Sequence, residues 1–221
     1  MSNHNNSPIF PDSYVGENSS EYDNSIWMER NQKKTAILCL QYLYDEKLNR
    51  VGNAGKLNEK KYLIADLGCG TGFSSEILVE EGYRVIGVDI LIDMLSKTKS
   101  KKKLLEKDKN LELILADINY LPLKHSSIDH VISISAYNFI IHGKSVLGDI
   151  SKTVNNTARY LKKILKPNGR VIIEFYPKNK IELDTFISSF NDNGFDGFVV
   201  KKDSNQKSGQ TFLLLKKKRK P

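Results

Sequence analysis

The chain alternates short β-branched runs with helical stretches, the pattern of a βαβ sheet rather than of a sandwich or a helical bundle. Residues 26–48 carry Ile37, Leu38, Leu40, Leu43 and Tyr44 at mixed three- and four-residue spacings. They predict an amphipathic helix that ends before a glycine-containing linker at 52–55. Strands are predicted at 62–67, 83–88, 111–116, 130–135 and 170–175. Helices are predicted at 73–81, from about 91 into a lysine-dense stretch, and at 145–165. Gly82 suits the left-handed position that closes the first of these helices. Lys166, Pro167, Asn168 and Gly169 predict a turn that stops the long one. A helix at 181–193 and strands at 198–201 and 211–215, joined by a polar loop over 203–209, complete the pattern as a hairpin at the sheet edge. No solenoid-type repeat interrupts it. The expected architecture is one doubly wound α/β domain.

Composition narrows the partners. The 221 residues suffice for one domain, read as 26–215, flanked by a polar, flexible N-terminal arm (1–25) and a basic tail (216–221). Lys+Arg is 34 against Asp+Glu 26, a formal charge of +8, which favours a polyanionic partner and above all nucleic acid. No apolar run approaches the ~20 residues of a membrane helix, so no membrane partner is expected. Cys39 and Cys69 form neither a disulfide framework nor a C-x-x-C pair, which fits a reducing compartment, and the arm has no signal-peptide pattern. His4, His125, His130 and His142 lack an i,i+4 partner or a nearby cysteine, so no metal site is expected.

The candidate chemistry lies in Asp66-Leu67-Gly68-Cys69-Gly70-Thr71-Gly72, where the first strand hands over to a helix. Parallel α/β sheets bind ligands at the carboxyl ends of their strands, and glycines let the backbone approach the ligand. The spacing is G-x-G-x-G rather than the dinucleotide G-x-G-x-x-G, which points away from a pyrophosphate and towards S-adenosylmethionine. The cationic methionine end of that cofactor needs acceptors, a role that suits Asp66 and the carbonyls of the turn. Asp89, followed by Ile90, ends the second strand, where a carboxylate can accept from both ribose hydroxyls; a helix N-cap is the competing role. Asp117 ends the third, placed to accept the adenine amine with Ile118 on the ring; capping competes here too. Ser133, on the fourth strand, completes the candidate cofactor set.

Asp66, the glycine turn, Asp89 and Asp117 together resemble the motifs of class I S-adenosylmethionine-dependent methyltransferases. That resemblance implies a Rossmann-like, seven-stranded, mostly parallel sheet whose last strand is antiparallel. Near the end of the fourth strand the chain shows neither the [DN]-P-P-[YF] of amino-group methylases nor a P-C of pyrimidine C5 enzymes. It reads Ile132-Ser133-Ile134-Ser135-Ala136-Tyr137-Asn138-Phe139. Tyr137, Asn138 and Phe139 are the candidates for holding an acceptor base, against plain packing for the two rings. Tyr176, Pro177, Lys178 and Asn179 are the candidates for the opposite wall.

These two segments, with Ser20-Glu21-Tyr22 and Arg30-Asn31-Gln32-Lys33-Lys34, resemble the eukaryotic enzymes that methylate N7 of a guanine in small-subunit ribosomal RNA, and their archaeal relatives. The chain departs from the eukaryotic members at Phe139, where they usually carry tryptophan, and in its short basic tail. The resemblance implies ribosomal RNA in the pre-ribosome as substrate and an arm that helps to close the cofactor site. It also implies a heterodimer with a small zinc-binding activator protein, and work in the nucleus or nucleolus and cytoplasm of a eukaryote, or the cytoplasm otherwise. Guanine N7 has an in-plane lone pair and loses no proton on attack, so no general base is expected and alignment supplies the catalysis. The seven lysines of 97–109 and the KKKRK tail are candidate phosphate contacts, the tail also a candidate nuclear signal; a solvated face competes for both. Two other readings stay open: a small-molecule or protein methyltransferase on the same fold, and a non-catalytic ribosome-assembly scaffold.

Overall fold

The computed structural model describes residues 9–50, 62–202 and 209–218. Seven strands form one sheet: β1 (Leu63–Leu67), β2 (Arg84–Asp89), β3 (Leu111–Leu115), β4 (Ile128–Ile134), β5 (Leu165–Phe175), β6 (Phe195–Lys202) and β7 (Gln210–Lys217). Their spatial order is β3-β2-β1-β4-β5-β7-β6. The first five are parallel, and β7 runs antiparallel to both neighbours, so the hairpin adds β7 beside β5 and leaves β6 at the edge. The order reverses between β1 and β4, and a ligand cleft belongs above that switch point.

Successive strand residues point to opposite faces, and the central strands are apolar on both because helices cover both. Ile64, Ile172 and Leu214 join Ala36, Cys39 and Leu43 of α2 (Ile26–Leu43), Leu48 of α3 (Glu46–Arg50) and Leu78 of α4 (Phe73–Glu80) in one core. Their strand neighbours Ala65, Ile173 and Leu213 enter the other. That second core takes Val154, Ala158, Leu161 and Ile164 of α6 (Leu147–Ile164) and Phe186 and Phe190 of α7 (Lys180–Asp192). The spacing of four, three and three residues on α6 is one helical stripe.

Four expectations change. Residues 9–25, read as part of a flexible arm, contain a 3-10 turn at Asp12–Tyr14 and a helix, α1 (Glu17–Asn24). This polar helix is tied to α5 (Ile92–Lys102) by remote polar bonds: Gly16 N–H donates to Asp93 Oδ2 (2.7 Å), Lys97 Nζ to Ser20 Oγ (2.7 Å), and Lys101 Nζ to Asp23. The helix expected over 26–48 breaks at Asp45, whose Oδ1 accepts from Lys47 N (2.7 Å) and Leu48 N (3.2 Å) and so caps α3. The turn expected at 166–169 is a bulge inside β5, between the pairs Ile128–Leu165 and His130–Arg170, with Asn168 at φ 66°.

The basic tail is the fourth. Lys216 and Lys217 belong to β7; Lys216 is buried with Nζ donating to Leu48 O (3.3 Å) and Asn49 O (3.2 Å), and Lys218 pairs with Asp196 at 3.1 Å. Beside Lys216, buried Arg170 donates to Leu43 O and to Asn49 Oδ1 (2.5 Å), so two cations meet the C-terminal carbonyls of α2 and α3. The linker at 52–55, most of the 203–209 loop and the last three tail residues lie outside the described residues. No helix among the described residues is long and apolar enough to cross a membrane.

Candidate functional site

A cavity of about 930 Å³ opens above the switch point, lined by the N-terminal arm and α2, the ends of β1 to β5 and the β6–β7 hairpin. The turn after β1 is shaped by close approach. Gly68 has φ 72°, and a Cβ there would lie 2.1 Å from Cβ of Ala136, so any side chain at 68 collides with the end of β4. Gly68 and Cys69 N–H groups both donate to Val88 O (2.8 and 3.0 Å), fixing the turn to β2. Gly68, Cys69, Gly70 and Thr71 face the cavity. Gly72, at φ 89°, begins α4 instead and stays off the lining.

The three strand-end acids divide. Asp89 reaches the cavity; its Oδ2 accepts from Gly70 N (2.9 Å) and its Oδ1 from Leu91 N (2.9 Å), and burial raises its pKa against those N–H groups. Asp117 reaches it too, with Oδ1 accepting from Asn119 N (2.8 Å) and Nδ2 (2.9 Å); the capping role weighed in sequence is therefore real. Ile90 and Ile118 stand beside them on the lining. Asp66 does not reach the cavity. It is fully buried beneath the turn, where its Oδ2 accepts from Ser74 Oγ (2.7 Å) and Ser75 Oγ (2.6 Å), clamping the first turn of α4. Burial pushes its carboxyl up to about 6. Ser133 is likewise buried, its hydroxyl donating to Leu67 O at 2.8 Å.

The acceptor wall divides the same way. Tyr137 is a core residue: its ring is fully buried against Phe186 and Phe190 at 6.0 Å each, so the packing role holds for it. A 3-10 turn over Tyr137–Ile141 then aims Asn138 and Phe139 at the cavity. Asn138 Nδ2 donates to Tyr176 O (3.0 Å) and its Oδ1 accepts from Tyr176 N (2.9 Å), locking the ends of β4 and β5 together. Of the predicted opposite wall only Tyr176 lines this cavity. Pro177 and Asn179 line a neighbouring one of about 570 Å³, where Asn179 Oδ1 caps α7 through Glu182 N (2.9 Å). Lys178 lines neither.

Sequence reasoning missed several lining residues. Buried Glu174 closes the floor at the end of β5, accepting from Ser135 Oγ (2.7 Å), Tyr176 Oη (2.8 Å) and Gln210 Nε2 (2.6 Å). The arm adds Phe10, Tyr14 and Tyr22, and α2 adds Trp27, Asn31, Gln32 and Thr35. The only signal for them was the resemblance of the arm, which named Tyr22, Asn31 and Gln32 without facing. The lysines fare differently: Lys34, Lys144 and Lys202 stand at the cavity, while Lys97 and Lys101 hold the arm and Lys102 pairs with Glu112 at 3.6 Å.

This lining suits S-adenosylmethionine. Two carboxylates at adjoining strand ends match a ribose diol and an adenine amine, two isoleucines flank them, and carboxylates with electron-rich rings suit a sulfonium. Thr71 is on the lining, and its buried Oγ1 has no hydrogen-bond partner among the described residues.

Comparisons with known proteins agree with this fit. A methyltransferase-domain family model matches residues 65–173. The chain superposes on a magnesium protoporphyrin IX methyltransferase from Synechocystis, solved with bound S-adenosylmethionine, with a TM-score of 0.63 at 18% identity, covering 93% of this chain and 94% of that one. Over residues 65–173 it carries a methyltransferase domain similar to those of the class I S-adenosylmethionine-dependent methyltransferases. Within them its sequence is similar to 18S rRNA guanine-N7 methyltransferases: 35% identical over 146 residues to the Saccharomyces cerevisiae enzyme (65% of this chain, 51% of that protein), and 28% over 194 residues to the Bos taurus enzyme (86% and 66%). The chain thus spans between half and two thirds of the length of these two relatives. A methyltransferase solved in complex with the Haloferax volcanii Trm112 activator has the same fold, with a TM-score of 0.57 at 16% identity, covering 91% of this chain and 98% of that one.

Proposed function

We propose that this chain methylates N7 of a guanine in small-subunit ribosomal RNA during ribosome assembly, in the nucleus or nucleolus and cytoplasm of a eukaryotic cell or in the cytoplasm otherwise, and together with a small zinc-binding activator subunit. The similarity to enzymes of that activity supports the substrate. The resemblance to a methyltransferase solved with an activator supports the partner.

The observation that carries the reading is the wall after β4, where an amide tied to Tyr176 at two points stands next to the Phe139 ring on the cavity. That wall can stack a base on the Phe139 ring, with the amide holding the turn that carries the ring. The cofactor supplies an electrophilic methyl group when bound. Asp89 and Asp117 orient its nucleoside, and the backbone of the Gly68–Thr71 turn receives its amino-acid end. Asp66 acts one step removed, by holding α4 and the turn in place. Asn138 and Phe139 align N7 with the methyl group, and since N7 attacks through a lone pair with no proton to lose, no residue need act as a base. Lys34, Lys144 and Lys202 offer phosphate contacts at the cavity.

Borohydride and aniline cleave RNA at N7-methylguanosine. Mapping small-subunit RNA from cells with and without the chain should show the loss of one cleavage site. An unchanged map would turn the assignment to another acceptor.

A further inference from the structure

We propose that Phe10 is the second jaw of an aromatic clamp for the acceptor base, facing Phe139 as the first. The inference rests on the base-methylating function proposed above. Phe10 and Phe139 are stacked with centroids 4.7 Å apart and planes inclined by 22°. Tyr14 meets Phe139 edge-on at 5.7 Å, and His142 meets Phe10 edge-on at 5.2 Å, so the pair is braced from the sides while its shared faces stay parallel. All four residues line the cavity. A base entering between the two rings needs them to part by roughly 3.5 Å, one layer of carbon contact. It then has an aromatic face on both sides.

The chain around Phe10 is built to part as a unit. Ser13 N donates to Ile9 O (2.8 Å), Tyr14 N to Pro11 O (2.8 Å) and Ile9 N to Ser13 Oγ (2.9 Å), so residues 9–14 close on themselves. Two bonds anchor this knot, from Asn18 Nδ2 on α1 to Asp12 O (2.8 Å) and from Gly16 N to Asp93 Oδ2, and a turn about Gly16 that parts the rings gives up the first. Gly16, at φ 57° with nothing within 4 Å of an added Cβ, is an uncrowded pivot. The clamp also fits the product, because N7 methylation leaves the guanine ring cationic and a cationic ring is drawn to aromatic faces. An apolar plug over Phe139 would need volume only, whereas a clamp needs a flat ring.

The test compares Phe10→Ala, Phe10→Leu and Phe10→Tyr in the full chain with its activator subunit, reading kcat/KM for RNA and, by calorimetry, affinity for S-adenosylmethionine. Loss of one stacking face should lower kcat/KM by about 5- to 100-fold in the Ala and Leu variants, Tyr should restore it, and cofactor affinity should hold. Full activity with Leu would overturn the clamp in favour of a plug. A fall in cofactor affinity that matches the fall in methylation would overturn it in favour of a cofactor lid. Should the unaltered chain methylate no guanine, the functional proposal fails and a binding measurement decides the clamp. Trp27 is the sole tryptophan, so Phe10→Trp on a Trp27→Phe background reports from the jaw alone. Titration with 7-methylguanosine monophosphate should quench that fluorescence, and Phe139→Ala should abolish the quenching. An unquenched signal overturns the clamp.

Discussion

Substituting Gly68 by alanine probes the turn on which the cavity depends. The added methyl group meets Cβ of Ala136 at 2.1 Å, and the backbone carries it at φ 72°. The left-handed conformation costs a non-glycine residue roughly 1–2 kcal/mol. Forcing a methyl group into a filled space adds typically about 1–3 kcal/mol, and backbone-borne atoms on both sides leave little room to relax. A total of about 2–5 kcal/mol lowers the melting temperature of a domain of this size by roughly 5–15 °C. Because the strain falls where β1 and β4 meet under the cofactor, binding should weaken as well. Differential scanning calorimetry and S-adenosylmethionine titration read the two effects. Ala136→Gly supplies the internal control: on the Gly68→Ala background it removes the collision and not the backbone strain, so it should restore about half of the lost stability. A Gly68→Ala protein within 2 °C of the parent, or one that Ala136→Gly does not help, would refute the steric argument.

Other residues give further expectations. Burial holds the Asp66 carboxyl up at about 6, above the 3.8 usual for an aspartate. The folded state therefore keeps a proton that the unfolded state has lost, and this residue's contribution to stability falls as pH rises from about 4 to 6. Asp66→Asn should flatten that slope in chemical denaturation across pH 4 to 7; an unchanged slope would place the cause elsewhere. Asp89→Asn offers an N–H group where Gly70 or Leu91 now finds an acceptor, so cofactor binding should weaken by roughly tenfold to a hundredfold, the scale of a charged hydrogen bond. Calorimetric affinity equal to the parent's would remove Asp89 from the cofactor site. Asn138→Ala frees the Tyr176 backbone at two points and should reduce kcat/KM for RNA by about tenfold while cofactor affinity holds. Methylation at the parental rate would show that this amide positions nothing. Truncation after Leu215 removes buried Lys216 and the end of β7, and melting should fall by several degrees; a tail that acted only on RNA would leave it unchanged.

The legible parts of the site are those that a strand end determines. Asp89, Asp117 and the Gly68–Thr71 turn reach the cavity because a parallel sheet carries its strand ends to one rim, and the strands were readable from their apolar runs. Asp66 shows the limit of that argument: one residue before the end of β1 it turns into the core, and the period of two that makes strands recognisable reverses its facing. At Tyr137–Ile141 a tight 3-10 turn sets which ring is buried, and no pattern in Tyr137-Asn138-Phe139 distinguishes the core ring from the half-buried one at the cavity. Glu174 reads as an ordinary strand residue until Gln210, 36 positions later, pairs with it. The polar arm lacks any apolar stripe and is held by bonds across 77 and 78 positions, to Asp93, Lys97 and Lys101, so its order was invisible locally. The same bonds explain why the lysine-dense helix is less free for RNA than its charge suggested.

The central claim is transfer of a methyl group to guanine N7 of small-subunit RNA. Its most direct test incubates the chain and the proposed activator subunit with that RNA and S-adenosylmethionine carrying a deuterated methyl group, followed by nuclease digestion and mass spectrometry of the nucleosides. The expected product is 7-methylguanosine bearing the deuterated methyl, from a single position, and absent when Asn138 and Phe139 are both alanine. Label on another nucleoside, or an RNA that stays unlabelled while the cofactor binds, would contradict it.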